Sequence, residues 1–162
     1  MGRPGGAEQL TARARAGFDD FPGFGPMTRI STDFGAVPAQ ALRVGDRVRT
    51  RTGVIRPIVW LDRIVLDEAF LARHPGALPI LIRAGAFGPG LPARDVTVAP
   101  GQPVGVGRFR SAEAPRPARM LTAGPGALRK TESMITYTRF HCGQDVEVDA
   151  EGLWVPVAPQ NP

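Results

Sequence analysis

The chain has 162 residues, and all but one of its twenty Lys and Arg residues are arginine, which gives a net charge of +5. It contains no apolar run of the ~20 residues that a membrane helix needs, and its N-terminus lacks the layout of a secretory signal, so we expect a cytoplasmic protein. A single cysteine and two histidines exclude an internal disulfide and a four-ligand zinc site within one chain, so neither a metal nor another cofactor is expected.

Composition divides the chain into one domain and two tails. Residues 1–20 are small, polar and charged, which predicts a flexible tail. Residues 21–157 are long enough for a single core and are predicted to form one domain, and residues 158–162 are assigned to a C-terminal tail. Twenty glycines and seventeen prolines, spread along the chain, favour many short strands and turns over long helices.

The predicted elements are almost all strands. A short helix is predicted over residues 67–74, because Asp and Glu begin this stretch and Pro75 follows it. Apolar alternation bounded by turn residues predicts strands at residues 28–32, 46–50, 55–66, 79–84, 95–99, 104–106, 135–140, 146–149 and 153–157. The prediction is therefore an all-β fold of Greek-key or horseshoe type with one short helix.

The stretch 42–60 predicts a hairpin. Gly53 supplies the positive φ that a tight turn requires, between two segments of alternating character. We expect Asp46 to bond a turn amide and Trp60 to lie in the core or at its edge.

Several ordered blocks of sequence carry a family resemblance: MTRIST at 27–32, LRVGD at 42–46, PIVW at 57–60, Arg94-Asp95, Ala99-Pro100 and AEGL at 150–153. Their order and spacing resemble the Hint (Hedgehog/intein) domain, most closely the stand-alone bacterial Hint family. The resemblance covers about residues 21–157, and its specificity lies in the whole set of blocks. It implies a horseshoe-like all-β fold and a family activity of self-processing, in which a Cys or Ser side chain attacks the preceding carbonyl.

The same resemblance implies a former active site without its catalytic groups. The nucleophile position is Gly23, and the position of the His that protonates the leaving amide nitrogen is Gln102. The family's paired histidines align with Arg139 and Asp145, and Thr97 lies two residues before the turn that faces the site. These five positions are expected to converge, and an amide such as Gln102 cannot act as a general acid or base near pH 7.

Three functions compete. In the first, the domain is a non-catalytic scaffold or interaction module for an unknown protein partner. In the second it still processes itself, with Ser31, Thr32 or Cys142 as a substitute nucleophile. Few residues precede Gly23 and the chain has no intein-like His-Asn end, which disfavours this alternative, and Cys142 and His141 are strand neighbours that point to opposite faces.

The third function is nucleic-acid binding, and it rests on charge alone. The arginines are scattered, Arg47, Arg49 and Arg51 form the single alternating stripe, and no aromatic residues are interleaved with them. We therefore expect no specific binding of nucleic acid.

Overall fold

A computed structural model describes residues 21–106 and 114–159 of the chain. The predicted N-terminal tail, residues 1–20, and residues 160–162 of the predicted C-terminal tail lie outside this range. Within it the chain forms strands β1 to β13: Arg29–Thr32, Gly35–Pro38, Arg47–Arg49, Ile55–Pro57, Trp60–Leu66, Ile80–Ile82, Val96–Val98, Pro103–Val104, Arg116–Pro117, Ala127–Arg129, Ile135–His141, Val146–Ala150 and Leu153–Val157. The predicted all-β architecture is confirmed.

The strands pair antiparallel in four sheets. The largest has the order β13-β12-β1-β3-β4, with β2 paired to β1. A three-stranded sheet has the order β10-β6-β7, while β11 pairs with β5 and β8 with β9. The β5–β11 ribbon is the longest pairing, and its register sets Arg139 opposite Asp62 and His141 opposite Trp60.

One α-helix, α1 (Glu68–Arg73), is present among the described residues, at the predicted place. The Asp67 carboxylate caps it by accepting a hydrogen bond from the Phe70 N–H at 2.8 Å. The helix buries Phe70 and Leu71 and ends before Pro75. Short 3₁₀ turns at Ala39–Ala41, Pro75–Ala77 and Ala118–Ala123 complete the helical content, and no helix in this part of the chain is long and apolar enough to cross a membrane.

One strand prediction needs correction, and three strands were not predicted. The stretch 55–66 is divided into β4 and β5, because the buried Ile58 leaves the β3–β4 ladder and bonds through its backbone to Gly45 and Asp46. Strand β2 was not predicted, since its glycine and proline are depleted in strands and its exposed positions give no apolar alternation. The short strands β9 and β10 were missed for the same lack of a periodic signal.

Side-chain predictions for the hairpin had mixed outcomes. Asp46 accepts a hydrogen bond from the Arg43 N–H at 2.9 Å, as expected of a turn residue. Gly53 has a φ of 87° and closes its turn by donating to the Thr50 carbonyl. Trp60 is 38% exposed and stacks on His141, so of the two expected places the interior of the core is excluded.

The core has two parts, and the N-terminal segment enters both. Phe24 is buried in the larger cluster, which joins the main sheet to β6 and β7. Phe21 is buried in the smaller one, beneath α1, beside Tyr137. Tyr137 is fully buried and donates its hydroxyl to the Ala77 carbonyl, and burial raises its pKa. The segment between residues 21 and 24 is therefore fixed at both ends, which determines where position 23 lies.

Candidate functional site

The N-terminal segment runs between β7 and β11 as an added, irregular strand. Phe24 exchanges two backbone hydrogen bonds with Thr138 of β11, at 2.8 and 2.9 Å, and Gly25 donates to the Thr97 carbonyl of β7 at 2.8 Å. Gly23 accepts from the Ala99 N–H at 2.9 Å. These bonds hold the peptide between residues 22 and 23 against the turn at residues 99–103.

The side chain of Gln102 joins the two ends of the domain. Its Oε1 accepts a hydrogen bond from the Gly23 N–H at 2.9 Å, and its Nε2 donates to the Pro156 carbonyl at 2.9 Å and to the Pro103 carbonyl at 3.2 Å. Gln102 is 3% exposed. Because both ends of the carboxamide are hydrogen-bonded, its orientation is fixed by these partners. The amide therefore connects the N-terminal turn to the end of β13.

Gly23 has neither the backbone conformation nor the space for a side chain. Its φ of 149° is one that L-residues rarely adopt. A Cβ at this position would lie 3.1 Å from the Tyr137 Cβ and 3.4 Å from the Thr138 carbonyl oxygen. Nucleophilic side chains are thus disfavoured here by strain and by packing.

Arg139 lies beneath this segment, in an aromatic setting. It is 5% exposed, and its Nη2 donates to the Asp62 carboxylate at 2.7 Å. The guanidinium carbon is 5.0 Å from the centre of the Phe21 ring and 5.5 Å from that of Trp60, within cation–π range of both. A guanidinium stays protonated throughout the ordinary pH range, so Arg139 cannot exchange protons as a histidine does.

A cleft of about 270 Å³ opens beside these groups. Its walls come from the N-terminal turn, the turn at 101–103, the end of β11 and the end of β13. The lining residues are Pro22, Phe24, Gly101, Gln102, Pro103, Arg139, Phe140, Pro156, Val157, Ala158 and Pro159. The peptide bond between Pro22 and Gly23 is thus at the wall of an apolar, proline-rich cleft.

The five positions singled out in the sequence do not all meet there. Gly23, Gln102 and Arg139 come together. Thr97 contacts the N-terminal segment at Gly25, two residues after Gly23: its carbonyl accepts hydrogen bonds from the Gly25 N–H and, at 2.7 Å, from the Thr28 hydroxyl. Thr97 does not line the cleft. Asp145 lies in the turn before β12 and is not among the residues that line the cleft; it borders a second cavity, which shares residues 156–158 with the cleft.

The candidate substitute nucleophiles also lie away from the cleft. Ser31 and Thr32 belong to β1, and the Thr32 hydroxyl donates to the Gly35 carbonyl at 2.7 Å. Burial raises the pKa of the Cys142 thiol to about 11, which keeps it protonated near neutral pH. The neighbouring His141 uses its Nδ1 to accept a hydrogen bond from the Gly143 N–H at 3.0 Å.

Sequence reasoning missed three contributors to the site. Asp62 pairs with Arg139 through the β5–β11 register, which a single sequence does not reveal. Phe21 gave no functional signal in the sequence, and the Pro156 carbonyl is a backbone group without a side-chain signature. Over residues 21–106 and 114–159, no three His, Cys, Asp or Glu side chains are grouped so that they could hold a metal ion.

Comparison with known proteins decides the family. The family model of the Hint domain matches residues 22–157. The chain belongs to the Hint domain family. No curated protein sequence matches it significantly. The range that the family model matches agrees with the extent of the ordered sequence blocks. The horseshoe-type Hint fold expected from those blocks is confirmed.

Two solved inteins share the fold of this Hint domain. The gp41-1 intein superposes with a TM-score of 0.51 at 8% identity, over 83% of this chain and 98% of the intein. The MchDnaB-1 intein (N145AA) superposes with a TM-score of 0.50 at 10% identity, over 84% of this chain and 99% of that one. At such identities the likeness concerns the fold, and the function has to be argued from the residues of the site.

Proposed function

We propose that this Hint domain neither cleaves nor splices peptide bonds, and that it serves as a non-catalytic scaffold whose cleft binds an extended segment of a protein partner. The observation that carries the proposal is the hydrogen bond from the Gly23 N–H to the Gln102 Oε1. It lies at the peptide bond where the chemistry of the Hint family would begin.

The first step of that chemistry has no nucleophile at this bond. An acyl shift needs a side-chain hydroxyl or thiol on the residue that follows the attacked carbonyl, so that the new ester or thioester forms as the C–N bond breaks. Residue 23 is a glycine, and its conformation and close contact with Tyr137 disfavour any replacement. Residue 23 therefore supplies no group that could attack the Pro22 carbonyl.

The leaving nitrogen has no proton donor either. Gln102 presents its oxygen to the Gly23 N–H, so it accepts a hydrogen bond where the family's histidine would deliver a proton. Among the described residues that line the cleft, Arg139 is the one ionisable side chain, and it is held by Asp62. The bonds that Gln102 makes favour a stable peptide bond at this place.

The lining of the cleft supports the binding role. Four prolines, at positions 22, 103, 156 and 159, share the wall with Phe24 and Phe140. Prolines and buried aromatic rings lose little conformational entropy when a ligand covers them, so such a surface suits an extended, apolar peptide segment. The expected partner is therefore a protein that presents an extended, apolar peptide segment.

Release of a fused reporter tests the proposal. A reporter protein is placed ahead of the full chain, and the fusion is incubated with dithiothreitol or hydroxylamine, which capture thioesters and esters. We expect no release from the wild type or from Gln102→His, because position 23 still lacks a nucleophile. A Hint domain with Cys and His at these positions is the positive control. Release by a cut between residues 22 and 23 would contradict the proposal, and a cut dependent on Ser31, Thr32 or Cys142 would establish residual self-processing instead.

A further inference from the structure

A second cavity, of about 440 Å³, is bordered by the same segment, residues 156–158, that borders the cleft. It lies between the β3–β4 turn, the turn before β12 and the end of β13. Its volume is in the range of sites that hold small organic ligands. The family comparison assigns nothing to this place.

Arg56 is the charged group that distinguishes this cavity. Gln144, with its amide oxygen towards the guanidinium, accepts from the Arg56 Nε at 3.1 Å and Nη2 at 3.2 Å. Within residues 21–106 and 114–159, no carboxylate lies at salt-bridge distance from Arg56. A guanidinium has five N–H donors in a planar fork that matches a carboxylate, and a neutral amide leaves its charge uncompensated.

The other charged side chains of the cavity limit the negative charge that a bound anion can have. Arg51 pairs with Glu147 through Nη1 at 3.3 Å, and Asp145 adds a further carboxylate to the lining. Among the described lining residues, two arginines therefore stand against two carboxylates. A ligand with one acid group adds one negative charge beside Arg56. A phosphate dianion would bring two negative charges close to the two carboxylates, which repel them. The lining therefore favours a monoanion.

Apart from Thr50 and Thr52, the rest of the lining is apolar. Val146 and Val157 are cross-strand partners in the β12–β13 ladder, and both border the cavity together with Pro156 and Ala158. We propose that the cavity binds an organic monocarboxylate, with its acid group on Arg56 and its apolar body against Val146 and Val157. The site is chemically distinct from the cleft and does not depend on the proposed function.

Titration of the ¹⁵N-labelled full chain with 3-phenylpropanoate tests the site. Binding should produce saturable shifts of backbone amides in residues 50–56 and 144–158. The uncharged 3-phenylpropanol should bind at least about tenfold more weakly, because it loses the charge-assisted hydrogen bonds. Inorganic phosphate should also be the weaker ligand. An absence of saturable shifts, or equal binding of the alcohol or of phosphate, would overturn the proposal.

Three variants locate the binding group. Arg56→Gln should weaken binding about tenfold or more, since it removes the charge. Gln144→Glu keeps a hydrogen-bond partner for Arg56, so the fold should be undisturbed. Its carboxylate should compete with the ligand for Arg56 and should weaken binding as much as Arg56→Gln does. Arg49→Gln makes the same charge change at an exposed position on β3 that does not line the cavity, and it should alter the affinity by less than about twofold. Equal weakening by Arg49→Gln, or unchanged affinity in both Arg56→Gln and Gln144→Glu, would overturn the assignment.

Discussion

At position 23, backbone conformation and packing both favour glycine. The φ of 149° makes any side chain unfavourable, and a Cβ would make a close contact of 3.1 Å with the Tyr137 Cβ. Gln102 then adds a buried hydrogen bond to the N–H of the same residue. The glycine at this position is thus matched by the structure around it.

Replacement of Gly23 by alanine measures how strongly backbone conformation and packing favour glycine at this position. Gly23→Ala should lower the free energy of unfolding by about 2 to 4 kcal/mol, because strain at positive φ adds to a close contact in the core. Gly53→Ala is the matched control: Gly53 also has positive φ, but a Cβ there meets nothing within 4 Å. It should cost only about 1 to 2 kcal/mol. Equal losses in urea denaturation would show that packing at position 23 contributes nothing.

Cys142 allows a pH test at the same scale. Its pKa is raised from 9.0 to about 11 by burial, so the unfolded chain ionises first as the pH rises. The resulting stability is fully present below pH 9.0 and is lost as the pH rises towards about 11. At pH 8 the native thiol should react with a thiol reagent about one hundredfold more slowly than the urea-unfolded chain. Equal rates, with Cys142→Ser as the blank, would contradict this.

At the scale of elements, the β5–β11 ribbon determines the polar part of the site. Seven residue pairs fix its register, and this places Arg139 on Asp62 while its guanidinium lies within reach of the Phe21 and Trp60 rings. A cation that is buried to this extent depends on its carboxylate partner for stability.

Removal of the Asp62 carboxylate should lower the stability of the domain. Asp62→Asn should lower the free energy of unfolding by about 1.5 to 3 kcal/mol, since Arg139 loses its charged hydrogen-bond partner. The control is Glu132→Gln, which breaks the more exposed Lys130–Glu132 pair and should cost less than about 1 kcal/mol. Thermal or urea unfolding gives both values, and a loss at Asp62 no larger than that at Glu132 would refute the argument.

The sequence predicted most elements because their signals are local. Helix α1 has a capping Asp67 and a following Pro75, and β11 to β13 have apolar alternation between turn residues. The site was harder to predict, since it depends on pairings far apart in the chain. Gly23 and Gln102 could be identified by resemblance, but the Gln102–Pro156 bond and the Asp62–Arg139 register have no local signature.

At the scale of the whole molecule, Gln102 links the beginning and the end of the Hint domain. The N-terminal segment bonds to β7 and β11, and the Gln102 amide continues this contact to the end of β13. Several arginines are engaged in ion pairs within this body, among them Arg29 with Glu151 and Arg47 with Asp33. Part of the positive charge is therefore balanced internally.

The domain boundary proposed from composition can be tested by truncation. Residues 1–20 contain few large apolar residues, chiefly Leu10 and Phe18, so they have little surface to bury. Deletion of these residues should change the free energy of unfolding by less than about 1 kcal/mol, as measured by thermal melting. A larger loss would place the boundary earlier in the chain.

The mass of the intact protein tests the central claim most directly, because cleavage or splicing would change it. Freshly purified wild-type chain is incubated with protease inhibitors, with and without dithiothreitol, and its mass is recorded over time. Because residue 23 has no nucleophile and its N–H is held by Gln102, we expect the full-length mass throughout. Paired fragments that meet between residues 22 and 23, and that accumulate faster with dithiothreitol, would contradict the account.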